Sequence, residues 1–308
     1  MTKLRLAIAG FGKIATTRHV PAIAEMADVE LVAIADPVAT SPDLPHFASL
    51  EKLLKDGPEI DAVTLCTPPQ VRSAQARLAL EARKHVMLEK PPGATVSEIA
   101  PLLAVAQAAK RTLFATWHSR FAPAVEPARE LLANRRLKSV TIIWKEDVRV
   151  WHPGQDWIFA AGGFGVFDPG INALSILTRI LQRPVFVTGA ELGFPANREA
   201  PIVVELDMAD ATGLPIRAEF DFRQTGPQTW DIRIETDRGP LTLSSGGAKM
   251  SDGNTGVVDA LKEEYPALYR RFVDLTSKGE CDVDLAPLQI VADAFLLGRR
   301  RNVEAFEF

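Results

Sequence analysis

The strongest constraint on this chain lies near its start. An apolar run, 4–9, passes directly into Gly10-Phe11-Gly12-Lys13-Ile14-Ala15, a G-x-G-x-x-A element where a strand should give way to a helix. Each small residue meets a separate demand: Gly10 allows the tight turn, Gly12 lets backbone approach a pyrophosphate, and Ala15 permits close helix packing. An ordinary glycine-containing β-α turn would produce the same letters. Context favours the dinucleotide reading, because Asp36 ends the next apolar run about 20 residues on, where a carboxylate accepts a ribose 2′-hydroxyl. The alternative for Asp36 is a strand-end residue capping the turn that Pro37 begins. A carboxylate there repels a 2′-phosphate, and no Arg or Lys follows within the next several residues. Gly10, Gly12, Lys13, Ile14 and Asp36 are therefore expected cofactor contacts, with NAD preferred and NADP possible.

With 308 residues, 47% of them hydrophobic, the chain can bury two cores. Residues 1–119 alternate short Val/Ile/Leu runs with longer Ala/Glu/Lys-rich segments, the pattern of a parallel sheet flanked by helices. Strands are predicted at 4–9, 31–35, 61–66, 85–88 and 113–116, and helices at 16–26, 49–55, 71–82 and 96–110. Thr95 and Glu98 have capping-box spacing for the last helix. After about residue 120 a helix at 124–134 precedes strands at 140–150, 185–191, 202–208, 214–222, 230–236 and 241–244. Helices at 171–181, 265–276 and 286–299 complete that half. The expected fold class is α/β: a Rossmann dinucleotide-binding domain over 1–119, then an α+β domain over 120–308 with a largely antiparallel open sheet, serving substrate binding and oligomerisation.

Composition narrows the partners. A formal charge of −4 offers no global basic field for a nucleic-acid backbone, so nucleic acid is not expected as a partner. No apolar run approaches membrane-spanning length, and the start lacks the basic segment and longer apolar stretch of a secretory signal. Cys66 and Cys281 are the two cysteines, too few for a disulfide framework or a four-thiolate site, and no His/Cys/carboxylate spacing argues for a metal. A reducing cytoplasm is the expected compartment. The exposed face of the C-terminal sheet is expected to leave apolar surface that a second copy covers, giving a homodimer at least.

Two further segments suggest chemistry. His85-Val86-Met87-Leu88-Glu89-Lys90-Pro91-Pro92-Gly93 puts a strand end, then Glu-Lys, then a rigid Pro-Pro turn at the ligand-binding edge of the sheet. Gly162-Gly163-Phe164-Gly165-Val166-Phe167-Asp168-Pro169-Gly170-Ile171-Asn172 sets Pro169 as a first helical residue. Asp168 is then expected at the N-cap, with Asn172 on the same face.

On these residues, with Thr67-Pro68-Pro69 after the fourth apolar run, the chain resembles the glucose-fructose oxidoreductase and inositol dehydrogenase family (Gfo/Idh/MocA) over essentially its whole length. Trp117-His118-Ser119-Arg120, Trp144-Lys145-Glu146-Asp147 and Trp151-His152-Pro153-Gly154 resemble the family's bacterial aldose 1-dehydrogenases, which oxidise L-arabinose, D-galactose or D-fucose. The resemblance implies that Thr67, Pro68, Glu89 and Lys90 serve the cofactor and that Lys90 and Asp168 stand around the sugar carbon facing the nicotinamide. Many members have a His base where this chain has Asn172. Lys90 and Asn172 would then hold the C1 oxygen while Asp168 accepts its proton directly or through water. By the same resemblance His118, Glu146 and His152 bind sugar hydroxyls and Trp151 offers an apolar wall. Two rivals stand beside this: an inositol-type secondary-alcohol dehydrogenase, and a catalytically idle nucleotide-binding regulator on the same fold. Bland readings also exist, with Asp168 only a cap, Lys90 only a solvated charge and Asn172 only a polar helix residue; His19, His46 and His85 are expected to be structural or exposed.

Overall fold

The computed structural model describes residues 3–39, 41, 43–253, 255–259 and 264–308. The chain gathers into two compact units, Met1–His118 with Tyr265–Leu285, and Ser119–Glu264 with Ala286–Phe308. In the first unit a parallel sheet runs through β1 (Leu4–Ala9), β2 (Val29–Ala35), β3 (His46–Phe47), β4 (Ala62–Leu65), β5 (His85–Leu88) and β6 (Leu113–Ala115). The strand order is β3-β2-β1-β4-β5-β6. The order reverses between β1 and β4, and ligands of such sheets bind at that switch, outside the carboxyl ends of the strands. β1, β4, β5 and β6 are consecutive in this order, in a sheet of the type that helices cover on both faces. Their side chains are therefore almost wholly apolar and buried, as in Ala62-Val63-Thr64-Leu65 and Val86-Met87-Leu88.

Gly10 is required by this sheet. Its φ is +84°, and a Cβ there would stand 2.6 Å from the Thr67 nitrogen. Glycine thus lets the β1 turn lie against the β4 turn. After it, the helix expected at 16–26 is a π-helical turn, Ala15–His19, continued by Val20–Ala24. The Thr17 hydroxyl donates to the Lys13 carbonyl at 2.7 Å, a back-bond that competes with regular α-helical pairing. The helix expected at 96–110 is two pieces, Val96–Ile99 and Leu102–Ala109, because Pro101 has no N–H to continue the ladder. Its predicted capping box is present: Thr95 Oγ1 accepts from the Glu98 N–H at 3.3 Å, and Glu98 Oε1 accepts from the Thr95 N–H at 2.9 Å.

The segment from 265 to 285 packs with the first unit, although it lies late in the chain, inside the stretch expected to form the second domain. Helix Glu264–Lys278 puts Phe272 in a stack with Phe114, ring centroids 6.3 Å apart. Beyond it, the Leu113 N–H donates to Cys281 Sγ at 3.3 Å and Trp117 Nε1 donates to the Asp284 carbonyl at 2.9 Å.

The second unit is built on a sheet of nine strands: β7 (Leu137–Lys145), β8 (Val185–Pro195), β9 (Val203–Asp210), β10 (Pro215–Asp221), β11 (Thr229–Thr236), β12 (Gly239–Ser244), β13 (Lys249–Asp252), β14 (Thr255–Asp259) and β15 (Arg299–Val303). Its order is β14-β13-β12-β11-β7-β10-β9-β8-β15. Neighbours are antiparallel except β7 with β10 and β8 with β15. The run expected as one strand at 140–150 ends at Lys145 and turns into the short helix Val148–Trp151, capped by Asp147. The last helix ends at Leu297, and Arg299, expected within it, opens β15 instead. Gly298 makes that change: a Cβ there would meet the Ala294 carbonyl at 2.4 Å and Leu192 at 2.9 Å.

Strand alternation sends Val140, Ile142, Leu206, Met208, Ile216, Ala218, Phe220, Ile232 and Ile234 into the core, where helix Phe167–Ile180 packs. The opposite face is not the large apolar surface expected from sequence. It carries ion pairs, Arg217 with Glu205 at 2.8 Å, Lys145 with Glu219 at 2.9 Å and Arg233 with Glu235 at 2.7 Å. Charged side chains stand at alternate positions on that face. Among the described residues no helix is long and apolar enough to cross a membrane.

Candidate active site

In the first unit the expected cofactor residues collect at the carboxyl ends of the strands. Gly10, Gly12, Lys13 and Ile14 follow β1, Asp36 follows β2, Thr67 and Pro68 follow β4, and Glu89 and Lys90 follow β5, while His118, expected to bind substrate, follows β6. Gly12, Lys13 and Ile14 are exposed, and a Cβ at Gly12 would meet nothing within 4 Å. The residues therefore fit a dinucleotide: a turn tight enough to need Gly10, then open, backbone-lined space at a helical N-terminus.

Asp36 performs the turn-capping role at the end of β2. Its Oδ1 accepts from the Val38 and Ala39 N–H groups at 2.9 and 2.7 Å, and its Oδ2 accepts from the Phe11 N–H at 2.8 Å. Partial burial would raise its pKa, but these backbone donors outweigh burial and hold the carboxyl below its usual range. It is thus an anion fixed against the glycine turn.

Glu89 is buried, and protein donors occupy its carboxylate. Tyr265 donates to Oε1 at 2.8 Å, His19 Nε2 lies 3.1 Å from the same oxygen, and the Lys90 N–H donates to Oε2 at 2.7 Å. Burial alone would raise this carboxyl, yet the hydrogen bond and charge of His19, with His118 and Arg72 nearby, hold it down at about 2. His19 Nδ1 is 2.8 Å from the Tyr269 hydroxyl. Burial disfavours a charge on that ring, but Cys66, Tyr269 and Glu89 around it carry its pKa well above the ordinary histidine range. His19 is therefore structural, as expected, but inside a network that reaches the Lys90 backbone. Lys90 itself is half-buried, and its peptide bond to Pro91 is cis. The His118 ring stacks on Tyr265 at 5.6 Å. Tyr265 and Tyr269 escape sequence reading because they lie far along the chain from the motifs they serve.

The second unit assembles its own group. Helix Phe167–Ile180 begins one residue before Asp168, with Val166 as its N-cap. Asp168 is therefore not the cap expected from Pro169; it lies within the first turn, 3% exposed, and its Oδ2 is 3.3 Å from His152 Nε2. Gln155 meets the other ring nitrogen of His152 at 3.2 Å. Asn172 follows one turn later on the same helix, half-buried. Glu146, at the end of β7, is buried and accepts from Trp230 Nε1 at 2.8 Å. Trp151 packs on Trp230 at 5.2 Å, and Trp144 stacks on it at 5.9 Å.

The second unit thus brings together Glu146, Trp151, His152, Asp168 and Asn172, adding Trp230, which sequence reading treats only as a strand residue. A strand-borne Trp beside two quoted Trp segments was the available signal. The buried Trp144 Nε1 has no hydrogen-bond partner among the described residues, a donor that a water or bound oxygen would satisfy. Among the described residues no group of three His, Cys, Asp or Glu side chains is arranged to hold a metal.

Known proteins place this geometry in a family. Residues 4–116 match the family model described as oxidoreductase family, NAD-binding Rossmann fold (GFO_IDH_MocA). The chain is 46% identical over 306 residues to a galactose 1-dehydrogenase of Pseudomonas fluorescens, covering 99% of each chain. A crystal structure of a D-galactose-1-dehydrogenase from Rhizobium etli is 56% identical, with a TM-score of 0.95 over 100% of this chain and 99% of that one. The 3-ketoreductase KijD10 of Actinomadura kijaniata, solved with TDP-benzene and NADP, shares the fold at a TM-score of 0.82 and 18% identity, covering 98% of this chain and 100% of that one. With its Rossmann sheet, its mostly antiparallel second sheet and full-length similarity at these identities, the chain belongs to the Gfo/Idh/MocA oxidoreductase family.

Proposed function

We propose that this protein oxidises an aldose of galactose configuration at C1 to the aldonolactone, with a nicotinamide dinucleotide as hydride acceptor. The observation that carries this reading is a pair of groups in the second unit, Glu146 with Trp230 and Trp151, and His152 with Asp168, joined through the adjacent Trp151 and His152. Carboxylates accept sugar hydroxyls in strong charge-assisted bonds, and indole faces pack against the C–H face of a pyranose. Full-length identities of 46% and 56% to two galactose 1-dehydrogenases support galactose ahead of arabinose or fucose.

The nicotinamide, when bound, supplies the acceptor for the hydride leaving C1. Backbone N–H groups of Gly12, Lys13 and Ile14 would hold its pyrophosphate and Asp36 would take the ribose hydroxyl. The Thr67-Pro68 and Glu89-Lys90 turns support the nicotinamide end. Because the Glu89 carboxylate is occupied by protein donors, its contribution goes through the Lys90 backbone. Lys90 and Asn172 donate to the C1 oxygen. Asp168, oriented by His152, accepts the hydroxyl proton directly or through water. The ring oxygen makes the C1 hydroxyl more acidic and stabilises positive character at C1, so a carboxylate suffices where relatives acting elsewhere use a histidine. His118 binds a further hydroxyl.

The test is an absorbance screen for nicotinamide reduction across aldoses, inositols and polyols. Galactose-configured aldoses are expected to react fastest; activity confined to inositols or open-chain polyols would contradict the proposal. With NAD as the expected cofactor, Asp36→Ser removes a charge-assisted acceptor and is expected to lower NAD efficiency by about 10-fold or more. It should also narrow or reverse the NAD to NADP ratio of kcat/KM, and a wild-type preference for NADP would contradict the role given to Asp36. We assign the protein to the cytoplasm, a reading supported by Cys66 and Cys281 as free thiols. A homodimer is supported by exposed Phe186 on β8 and exposed Leu296 and Leu297 on the helix that packs beside β8.

A further inference from the structure

Helix Pro69–Glu81 carries Arg72 in its first turn, 4% exposed. A cation there opposes the helix dipole, and burying a guanidinium costs free energy unless its donors are engaged. Its donors are engaged by backbone carbonyls from two separate turns. Nε donates to the Thr67 carbonyl at 2.8 Å, and Nη2 donates to the same oxygen. Nη1 donates to the carbonyls of Glu89 and Pro91. Thr67 lies in the turn after β4 and Glu89 and Pro91 in the turn after β5, strands that pair directly in the sheet. A planar guanidinium can reach acceptors in two directions at once; an ammonium on a flexible stem cannot hold them in one fixed plane.

We propose that Arg72 is a positioning residue that locks the Thr67-Pro68 turn to the Glu89-Lys90-Pro91 turn, and so fixes Lys90 for the reaction. This rests on the reading that both turns serve the dinucleotide and that Lys90 serves the substrate. The clamp acts through the backbone carbonyls of the two turns.

The decisive variants are Arg72→Lys, which keeps the charge and loses the fork, and Arg72→Ala. Three readouts are taken on the intact protein: NADH affinity by fluorescence, kcat and KM for NAD with galactose, and amide exchange of the segments around 66–72 and 88–93. With Arg72→Lys, NADH affinity and kcat are each expected to fall at least about 10-fold, the size of one lost charge-assisted bond. Exchange should quicken in both turns while β1 and β2 keep their protection. A filler of the core alone would instead lower the melting temperature and leave kcat, KM and the two turns as in the wild type. That result in Arg72→Lys overturns the clamp, and Arg72→Lys decides alone if Arg72→Ala does not fold. If the wild type oxidised no aldose, the functional reading would fail, and exchange in the two turns would still decide for or against the clamp.

Discussion

Asp168→Ala is expected to lower kcat by at least about 10²-fold, within the range of general acid-base contributions, with NAD affinity little changed. Lys90→Ala should lose a comparable factor, because charge gathers on the C1 oxygen as hydride departs and transition-state interactions appear in kcat. Asn172→Ala should lose less, as a residue that only orients the hydroxyl. A capping role for Asp168 would cost about 0.5 to 2 kcal/mol of stability and leave turnover intact. That role is already disfavoured, since the helix cap is Val166 and the Asp168 carboxylate meets His152 at 3.3 Å. Turnover, NAD affinity and melting temperature measured on the three variants separate these accounts. A stable Asp168→Ala protein with near-normal kcat would remove Asp168 from the chemistry.

Two substitutions of one methyl each, at Gly10 and Gly12, are expected to act oppositely. Gly10→Ala sets a Cβ 2.6 Å from the Thr67 nitrogen at a φ of +84°, so left-handed strain and overpacking together should cost at least about 2 kcal/mol of stability. Gly12→Ala meets no protein atom within 4 Å, and its melting temperature should hardly move. If the pyrophosphate approaches the backbone there, NADH affinity should nevertheless fall by about 10-fold or more, the loss of about one strong hydrogen bond. Equal NADH affinity in Gly12→Ala and wild type would remove the pyrophosphate from that turn.

Much of the fold is legible in the sequence. Period-2 and continuous apolar runs marked strands because each buries one or both faces, and the glycine spacing marked the turn because only glycine tolerates the contact with Thr67. Helix ends were harder. Pro101 divided a helix whose apolar pattern ran unbroken, and Gly298 converted the expected helical Arg299 into the first residue of β15. Such boundaries depend on a single missing N–H or missing Cβ, which periodicity averages away. The proposed site residues on the motifs were marked by local pattern and by resemblance. Tyr265, Tyr269 and Trp230 were not, because their value comes from partners distant in sequence, Glu89, His19 and Glu146. Nothing in the sequence marks Arg72, since carbonyl acceptors leave no trace in side-chain sequence.

The most direct test of C1 oxidation uses galactose carrying deuterium at C1, with NAD and the wild-type enzyme, and follows the label by NMR. The account predicts deuterium at C4 of the reduced nicotinamide and a lactone free of the label at C1. Reduced nicotinamide carrying only protium, with the deuterium retained in the sugar product, would show that oxidation occurs at another carbon and would contradict it.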